Sequence, residues 1–446
     1  MADQDYRAIA DQLAADIAAG RLAPGTRLLP QREFAYQRGI AASTAGRVYA
    51  DLRRRGLVTG EVGRGTYVRP PLGRLNTVLG EPNDAPVDLA INFPILPDQA
   101  ALLQHTLGAT LRAEVLAHAM KPVGTAATPE ARAIAASFLA RAAWSPSPSQ
   151  LLFAGNGRQA IAAAMAALAS SGGRIGVEAL TYPIAKSIAA RLGITLVPIE
   201  LDEHGVRPEG ILRAHKRTPL NGLYLQPHLH NPLGVSMDRA RRREIASVLE
   251  KTGLVAIEDA IYAFLTDAPP LAATAPDHTI LVDSLSKRIA PGATLGMIAA
   301  PARLADRVAG ALRAGGGTAM GLALFVSLRS MSDGTAARLA EAKRKDAIER
   351  QAIAREALEG LAIKGDRRAY HLWLDLPESW NGEAFVSAAA RQGIALTAGS
   401  AFAVAPGHAP RSVRIALAAP PKDVLARALI ALRSLALSDP GDSATE

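Results

Sequence analysis

The chain has 446 residues, 49% of them hydrophobic and 20% charged, with no cysteine and a formal net charge of +9. That composition excludes a disordered tail, a disulfide framework, a cysteine-ligated zinc site and a thiol nucleophile. The acidic, amphipathic start lacks the order of a secretory signal, and the longest apolar stretch, around 160–169, is about half the ~20 residues a bilayer span needs. A soluble, cytoplasmic protein of two to four domains is expected.

The positive charge is concentrated. Between positions 21 and 69 stand ten arginines against Glu33, Asp51 and Glu61, a net +7 that leaves about +2 for the rest of the chain. A basic module on a nearly neutral body is the electrostatic footprint of a nucleic-acid binder. A solvated arginine-rich helix face would give the same count, so the pattern must decide.

Residues 6–19 place Tyr6, Ile9, Leu13 and Ile17 at helical spacing, with a stop at Gly20. A turn-rich link, RLAPGTRLLP, follows. Pro30 suits a first helical position and opens a short helix, QREFAYQR, with Phe34 and Ala35 inward. After Gly39, Ser43 and Thr44 can cap a third helix striped by Val48 and Leu52 and ended by Gly56. LVTGEVGRGTYV then reads as a hairpin turning at Gly63-Arg64-Gly65. Three small helices and a hairpin outline a winged helix-turn-helix over 1–69, whose third helix enters the major groove.

This order resembles the winged helix of GntR-type bacterial regulators through Gly20–Pro24–Gly25, Arg32–Ala35, Ser43–Thr44 and Gly63–Val68. The resemblance implies that Arg32 contacts phosphate, that Ser43 and Thr44 approach the DNA backbone, and that Arg64 with Gly65 forms the wing. Ala42 stands where the family often has an arginine, and Pro30 where it usually has serine. Arg47 is taken as the substitute base-reading residue.

Residues 70–88, rich in Pro, Gly and Asn, form the expected linker. From about 150 onward, apolar β-prone runs (LLFAG, RIGVE, ITLVPI, GLYLQP, LVAIED, TILVDSLS, LGMIAA) alternate with helical segments. An α/β body with a mostly parallel sheet covered on both faces is expected, with its site just past the strand C-termini.

The suggestive residues fall there. Lys287 follows TILVDSLS and is one of nine lysines against 41 arginines; lysine, unlike arginine, loses its proton when desolvated and forms Schiff bases. Asp259 ends LVAIED, where a carboxylate can hold a pyridinium proton. Tyr262 and Asn231 follow strands too, and GNGRQAI (155–161) opens a helix whose N–H groups suit a phosphate. Each has a duller reading: a solvated lysine, a helix-capping aspartate, an ordinary Asn-Pro turn. His228 and His230 beside Asn231 are pocket-wall candidates, although a histidine at a turn is more often solvated.

Jointly these motifs resemble the fold-type I pyridoxal-phosphate aminotransferases: N-P-x-G at 231–234, E-D-x-x-Y at 258–262, S-x-S-K at 284–287 and Arg414 in VRIALA. The resemblance, over 89–435, implies pyridoxal 5'-phosphate held as an internal aldimine on Lys287. It also implies that Asp259 pairs the ring nitrogen, Asn231 and Tyr262 bond the ring oxygen, and Tyr182 stacks on the ring. Gly157, Arg158 and Ser284 would hold the phosphate, and Arg414 an effector carboxylate. No metal is expected. Thr294 stands where the family usually has a phosphate-binding arginine, so Arg158 is read as the replacement cation.

A winged helix followed by such a body, 89–446 with a small subdomain at about 310–435, is similar to the MocR-type subfamily of GntR regulators. That resemblance implies a transcriptional regulator that binds paired half-sites on double-stranded DNA as a head-to-tail homodimer. It would sense an amino acid or other amine by exchange to an external aldimine. The rivals are a working aminotransferase with an accessory DNA-binding head, and a DNA-binding protein with an empty body.

Overall fold

A computed structural model describes residues 6–18, 21–23, 25–54, 57–61, 65–68, 84–110, 112–142, 144–405 and 410–438. For residues 7, 18, 54, 59–61, 109, 110 and 118 only the backbone is described. The chain divides into two compact units, Met1–Glu81 and Pro82–Glu446.

The first unit contains α1 (Tyr6–Ala18), β1 (Arg27–Leu28), α2 (Gln31–Arg38), α3 (Ala42–Arg54), β2 (Val58–Glu61) and β3 (Gly65–Val68). Leu13, Phe34, Val48, Leu52 and Val68 are buried together. The apolar stripes of the helices therefore meet the inner face of the hairpin. Tyr49 packs its ring edge-on against Phe34 at 5.3 Å, and its hydroxyl donates to the Leu29 carbonyl at 2.7 Å, so the polar tip is not stranded. Gly39, at φ 61°, closes α2 by donating to the Ala35 and Tyr36 carbonyls, the left-handed cap that glycine adopts without a Cβ penalty.

Three expectations shift. Pro30 stands one residue before α2, at φ −53° and ψ 139°; proline's fixed φ suits both positions, and its carbonyl accepts from Phe34 N. Ser43 and Thr44 do not cap α3 but lie within its first turn, because the first helical carbonyl is that of Ala41, bonded to Ala45 N. The link 21–30 contributes β1, which pairs antiparallel with β3 to make the sheet three-stranded, β1-β3-β2. Gly20, Pro24, Gly56, Gly63 and Arg64, and most of the 70–88 segment, lie outside the described residues.

In the second unit the strands are β4 (Val87–Asp88), β5 (Leu151–Ala154), β6 (Arg174–Glu178), β7 (Thr195–Ile199), β8 (Leu201–Asp202), β9 (Gly205–Val206), β10 (Gly222–Leu225), β11 (Ala256–Asp259), β12 (Thr279–Ser284) and β13 (Gly296–Ala299). The large sheet runs β5-β13-β12-β11-β10-β6-β7. Only β13 runs antiparallel to its neighbours, β12 and β5. Side chains alternate between two helix-covered faces. Tyr224 packs with Ile161 and Ala164 of the helix Gly157–Leu168, while Leu223 and Leu225 pack with Ile245 and Leu249 of the helix Arg239–Thr252. Burial on both sides explains the continuous apolar runs of the sequence.

A smaller antiparallel sheet, β14-β15-β18-β17, joins β14 (Ala362–Lys364), β15 (His371–Asp375), β17 (Thr397–Ala398) and β18 (Ser412–Ala416). Phe385, Leu425 and Leu429 from the helices Gly382–Arg391 and Lys422–Leu437 cover it over Leu372, Leu374, Val413 and Ile415. Between β15 and β17 lies β16 (Ile394–Ala395), which pairs in parallel with β4 and ties the beginning of this unit to its C-terminal part. Among the described residues no helix is long and apolar enough to cross a membrane.

Candidate functional site

In the first unit α2 and α3 form the two helices of the helix-turn-helix, joined by the tight turn at Gly39. Arg32, Ser43 and Arg47 are exposed, and Thr44 is half-buried. Gly65 begins β3 at φ 121°, and a Cβ there would lie 2.7 Å from Nε of Arg27. The Arg27 side chain can move aside, so it is the positive φ that favours glycine there. Arg27, exposed beside the hairpin, had no motif to mark it. Tyr36, 89% exposed on α2, is a second side chain on this surface that periodicity alone did not select.

In the second unit the strand ends converge. Asp259 closes β11 and is buried, yet no cation pairs with it among the described residues; Tyr224 Oη donates to it at 2.6 Å and Gln226 Nε2 at 3.1 Å. Burial pushes its carboxyl pKa up, against those two hydrogen bonds. One strand over, β12 ends at Ser284 and turns directly into a single helical turn, Leu285–Arg288. That turn presents Lys287.

Lys287 is partly buried and donates to the Asn92 carbonyl, with Nζ 3.3 Å from the centroid of Phe93. Burial pushes its ammonium well below the usual lysine range. The cations Arg414, Arg158 and Lys343 act in the same direction, while Asp259 opposes them. The site thus holds an amine that gives up its proton readily and has no carboxylate partner among the described residues.

Around these two groups, Asn92 Nδ2 donates to Tyr262 Oη at 2.9 Å, leaving the tyrosine proton free to donate. Asn231 turns its amide oxygen to Arg414 Nη1 at 3.4 Å, which leaves its NH2 as donor. Arg414, on β18, is buried over the Phe402 ring at 5.4 Å. Its Nη2 donates to Thr397 Oγ1 at 3.1 Å and to the Ala90 carbonyl, and its buried Nε has no partner. Burial raises the pKa of the Tyr182 phenol, and the nearby charge of Arg158 offsets part of that rise.

Gly157 opens its helix with Asn156 capping Gln159 N at 3.0 Å. A Cβ at Gly157 would meet Ser284 Cβ at 3.0 Å, so the helix start and the end of β12 share one cup. Ser284 Oγ lies 3.0 Å from Thr294 Oγ1, which puts the departing Thr294 at the same cup. Arg158, the second residue of that helix, is exposed. The structure therefore brings Gly157, Arg158, Tyr182, Asn231, Asp259, Tyr262, Ser284, Lys287 and Arg414 into one cleft.

Several members of the cleft were invisible in the sequence. Asn92 and Phe93 lie in a coil without periodicity, Tyr224 and Gln226 were absorbed into an apolar run, and His371 stands inside β15. The two turn histidines are not solvated: His228 and His230 are 1% and 2% exposed. His228 lies 3.5 Å from the buried Glu258, and the His230 carbonyl is engaged by His371 Nε2 at 3.0 Å. Burial holds His230 at about 4, so it is neutral at physiological pH.

A carboxylate with no cation bonded to it and an amine with no anion bonded to it, both among the described residues, beside a glycine-walled helix start are complementary to pyridoxal 5'-phosphate. That molecule carries a protonatable ring nitrogen, an aldehyde and a phosphate. The fit holds for the residues of this chain.

Comparison with known proteins agrees with both halves. Residues 5–68 match the family of bacterial regulatory proteins, gntR family, and residues 85–432 match aminotransferase class I and II. The HTH-type transcriptional regulator YdeF of Bacillus subtilis is 32% identical over 96% of this chain and 94% of its own. The vitamin B6 salvage pathway transcriptional repressor PtsJ of Salmonella typhimurium is 26% identical over 90% and 92%. The pyridoxine biosynthesis regulator PdxR of Corynebacterium glutamicum is 27% identical over 66% and 65%. Among solved structures, an archaeal alanine:glyoxylate aminotransferase superposes with a TM-score of 0.73 at 20% identity, covering 86% of this chain and 97% of that one. A Pyrococcus horikoshii kynurenine aminotransferase gives 0.72 at 20% identity over 82% and 92%. At such identities the structural likeness establishes the fold-type I aminotransferase architecture alone. The full-length sequence match and the two family matches together establish that the chain belongs to the MocR-type GntR regulators, DNA-binding proteins in which a winged helix-turn-helix is fused to an aminotransferase-like body.

Proposed function

We propose that this regulator holds pyridoxal 5'-phosphate in its aminotransferase-like body and uses it to sense a carboxylate-bearing amine, changing how its heads engage DNA. The observation that carries the reading is the pair formed by Lys287, an amine with no carboxylate bonded to it among the described residues, and Asp259, a buried carboxylate with no cation bonded to it among them. When bound, pyridoxal phosphate supplies an aldehyde that condenses reversibly with primary amines.

The chain's own residues provide the rest. Lys287 Nζ, whose charged form is disfavoured by burial and by neighbouring cations, is the nucleophile poised for that aldehyde. Asp259, oriented by Tyr224 and Gln226, would hold a proton on the ring nitrogen. Asn231 Nδ2 and Tyr262 Oη would donate to the ring oxygen, and Tyr182 would cover the ring. Gly157 N–H, Ser284 Oγ and Thr294 Oγ1 would receive the phosphate, with Arg158 as its cation. Arg414, with donors to spare, would select ligands that carry a carboxylate. In the head, Arg32, Ser43 and Thr44 would contact phosphates while Arg47 and the Gly65 hairpin approach the grooves.

A ligand can shift the DNA-binding state only through different affinities for two arrangements of the protein. A homodimer on paired half-sites would supply such arrangements. The test is the visible spectrum of the full-length protein, wild type and Lys287→Ala, titrated with a panel of amino compounds while operator binding is followed by footprinting. Spectral change with altered footprint supports the sensor. Catalytic turnover of amino acid with keto acid and no change in footprint would instead favour an aminotransferase with an accessory head, and a colourless wild-type protein would refute the reading.

A further inference from the structure

A buried chain of hydrogen bonds ends on Tyr262 and has no part in the function proposed above. His371, inside β15, is fully buried, and its backbone carbonyl is held by Gln351 Nε2 at 3.0 Å. Its ring bridges two segments distant in sequence. Nε2 lies 3.0 Å from the His230 carbonyl, and Nδ1 lies 3.4 Å from Asn92 Nδ2. The same Asn92 nitrogen lies 2.9 Å from Tyr262 Oη. Asn92 and Tyr262 are buried as well.

The proton positions along this chain follow from its fixed end. A backbone carbonyl can only accept, so Nε2 of His371 carries the proton that it donates to the His230 carbonyl. The ring is uncharged near neutral pH. Burial holds His371 at about 3, and Arg414, His230 and Lys287 push the same way, against the bond to the His230 carbonyl. A neutral imidazole protonated at Nε2 leaves Nδ1 as a bare acceptor. Nδ1 therefore needs a donor, and that requirement decides which end of the Asn92 amide turns towards it.

With the NH2 end inward, one N–H goes to His371 Nδ1 and the other to Tyr262 Oη. The tyrosine oxygen then accepts within the protein. Burial raises the phenol's pKa, so the hydroxyl keeps its own proton, which remains for a further acceptor. The opposite polarity would set the Asn92 oxygen against the lone pair of Nδ1, and it would draw the tyrosine proton back onto Asn92. A neutral ring more than one residue away from the ligand thus decides whether Tyr262 gives or receives.

We infer that His371 and Asn92 are positioning residues whose relay from the His230 carbonyl fixes the Tyr262 hydroxyl as a donor to an anionic ligand oxygen. The inference rests on the function proposed above, in which that oxygen is the ring oxygen of pyridoxal phosphate. Two measurements on the full-length protein test it. Without cofactor, long-range nitrogen–proton NMR of the histidine rings, assigned by the signal lost in His371→Gln, should show a neutral His371 protonated at Nε2 across neutral pH. A ring protonated at Nδ1, or an imidazolium, would overturn the inference. With pyridoxal phosphate bound, a donor on the ring oxygen favours its deprotonated form. The pH midpoint of the visible band should therefore rise by about one unit in His371→Leu and in Tyr262→Phe. It should rise no further in the double variant, because the two residues act through one hydroxyl. His371→Gln, which keeps one donor and one acceptor, should return the midpoint towards the wild-type value. An unmoved midpoint in His371→Leu, or additive shifts in the double variant, would overturn the relay. A colourless wild type would refute the cofactor reading instead, and the ring-nitrogen spectra would still decide the relay.

Discussion

Arg414 offers the sharpest quantitative test of the effector site. A guanidinium has five N–H donors, and three are engaged within the protein, by Asn231, Thr397 and Ala90. Two remain, one of them the buried Nε–H. A carboxylate oxygen that accepts from Nε–H takes up a donor the protein leaves unpaired. Arg414→Lys keeps the charge and most of the stem but replaces the planar fork by a single ammonium. A hydrogen bond to a charged group contributes about 1.5–3 kcal/mol net, and about 1.4 kcal/mol corresponds to tenfold in affinity. Affinity for an amino acid should therefore fall by about 10- to 150-fold, while affinity for the amine of the same side chain without its carboxylate should change little.

The assay is a paired spectrophotometric titration of wild type and variant, one ligand being the amino acid and the other its decarboxylated amine. A thermal melt run alongside separates local from global effects, because Arg414 also ties β18 to β17 through Thr397. Equal weakening of both ligands would mean that the substitution has disturbed the cleft as a whole. Unchanged amino-acid affinity in a folded variant would show that Arg414 does not select for a carboxylate, and the reasoning would be refuted.

Other consequences follow from the same geometry. Lys287→Ala should abolish the visible absorption of the purified protein yet leave DNA affinity measurable by fluorescence anisotropy, since the head is a separate compact unit; retained absorption would refute the anchoring role. Arg158→Gln should weaken cofactor binding in absorbance titration and Thr294→Arg added to it should restore binding, because both positions face one phosphate cup; an unaltered affinity in both variants would dispose of the compensation. Arg47→Ala should lower operator affinity and relax sequence preference with the slope of log K against log salt unchanged, as for a base reader, whereas a slope reduced by about 0.9 with the preference intact would mark it instead as a phosphate contact. Burial raises the Glu178 carboxyl from its unfolded 4.5 to about 8, so the folded chain binds the extra proton between these values and stability falls as pH rises through that window. Glu178→Gln keeps the acceptor for Gln226 N and should flatten that fall in calorimetric melts from pH 5 to 8; an equally steep fall in the variant would show that Glu178 is not its source.

The parallel strands were legible because both faces of the large sheet are buried, which leaves each strand as an uninterrupted apolar run. The same property concealed Tyr224 and Gln226: their polar atoms turn to Asp259 inside the sheet, while the surrounding residues read only as strand. Lys287, Asp259, Tyr262 and Asn231 were legible for the opposite reason, since each breaks an apolar run where a strand stops. Asn92 had neither signal. It reaches Tyr262 across 170 positions and His371 across 279, and Arg414 reaches the neighbouring Ala90 carbonyl across 324. Such contacts leave no periodicity in a single sequence.

The turn histidines were misread through the same blindness to distance. A local Asn-Pro turn suggests solvent, but segments from β11 and β15 close over it and bury His228 and His230. Burial then fixes their chemistry: His230, held at about 4, cannot act as a cation near neutral pH, so its contribution to the cleft runs through the carbonyl that orients His371. The His371 ring in turn lies 5.4 Å from the Tyr262 ring and touches Asn92, the residue that both donates to the Tyr262 hydroxyl and accepts from Lys287. Strand ends thus supply the reactive groups, whereas their orientation comes from residues distant in sequence. An exchange of the Asn92 side chain should consequently disturb Tyr262 and His371 together, while the backbone carbonyl that accepts from Lys287 stays in place.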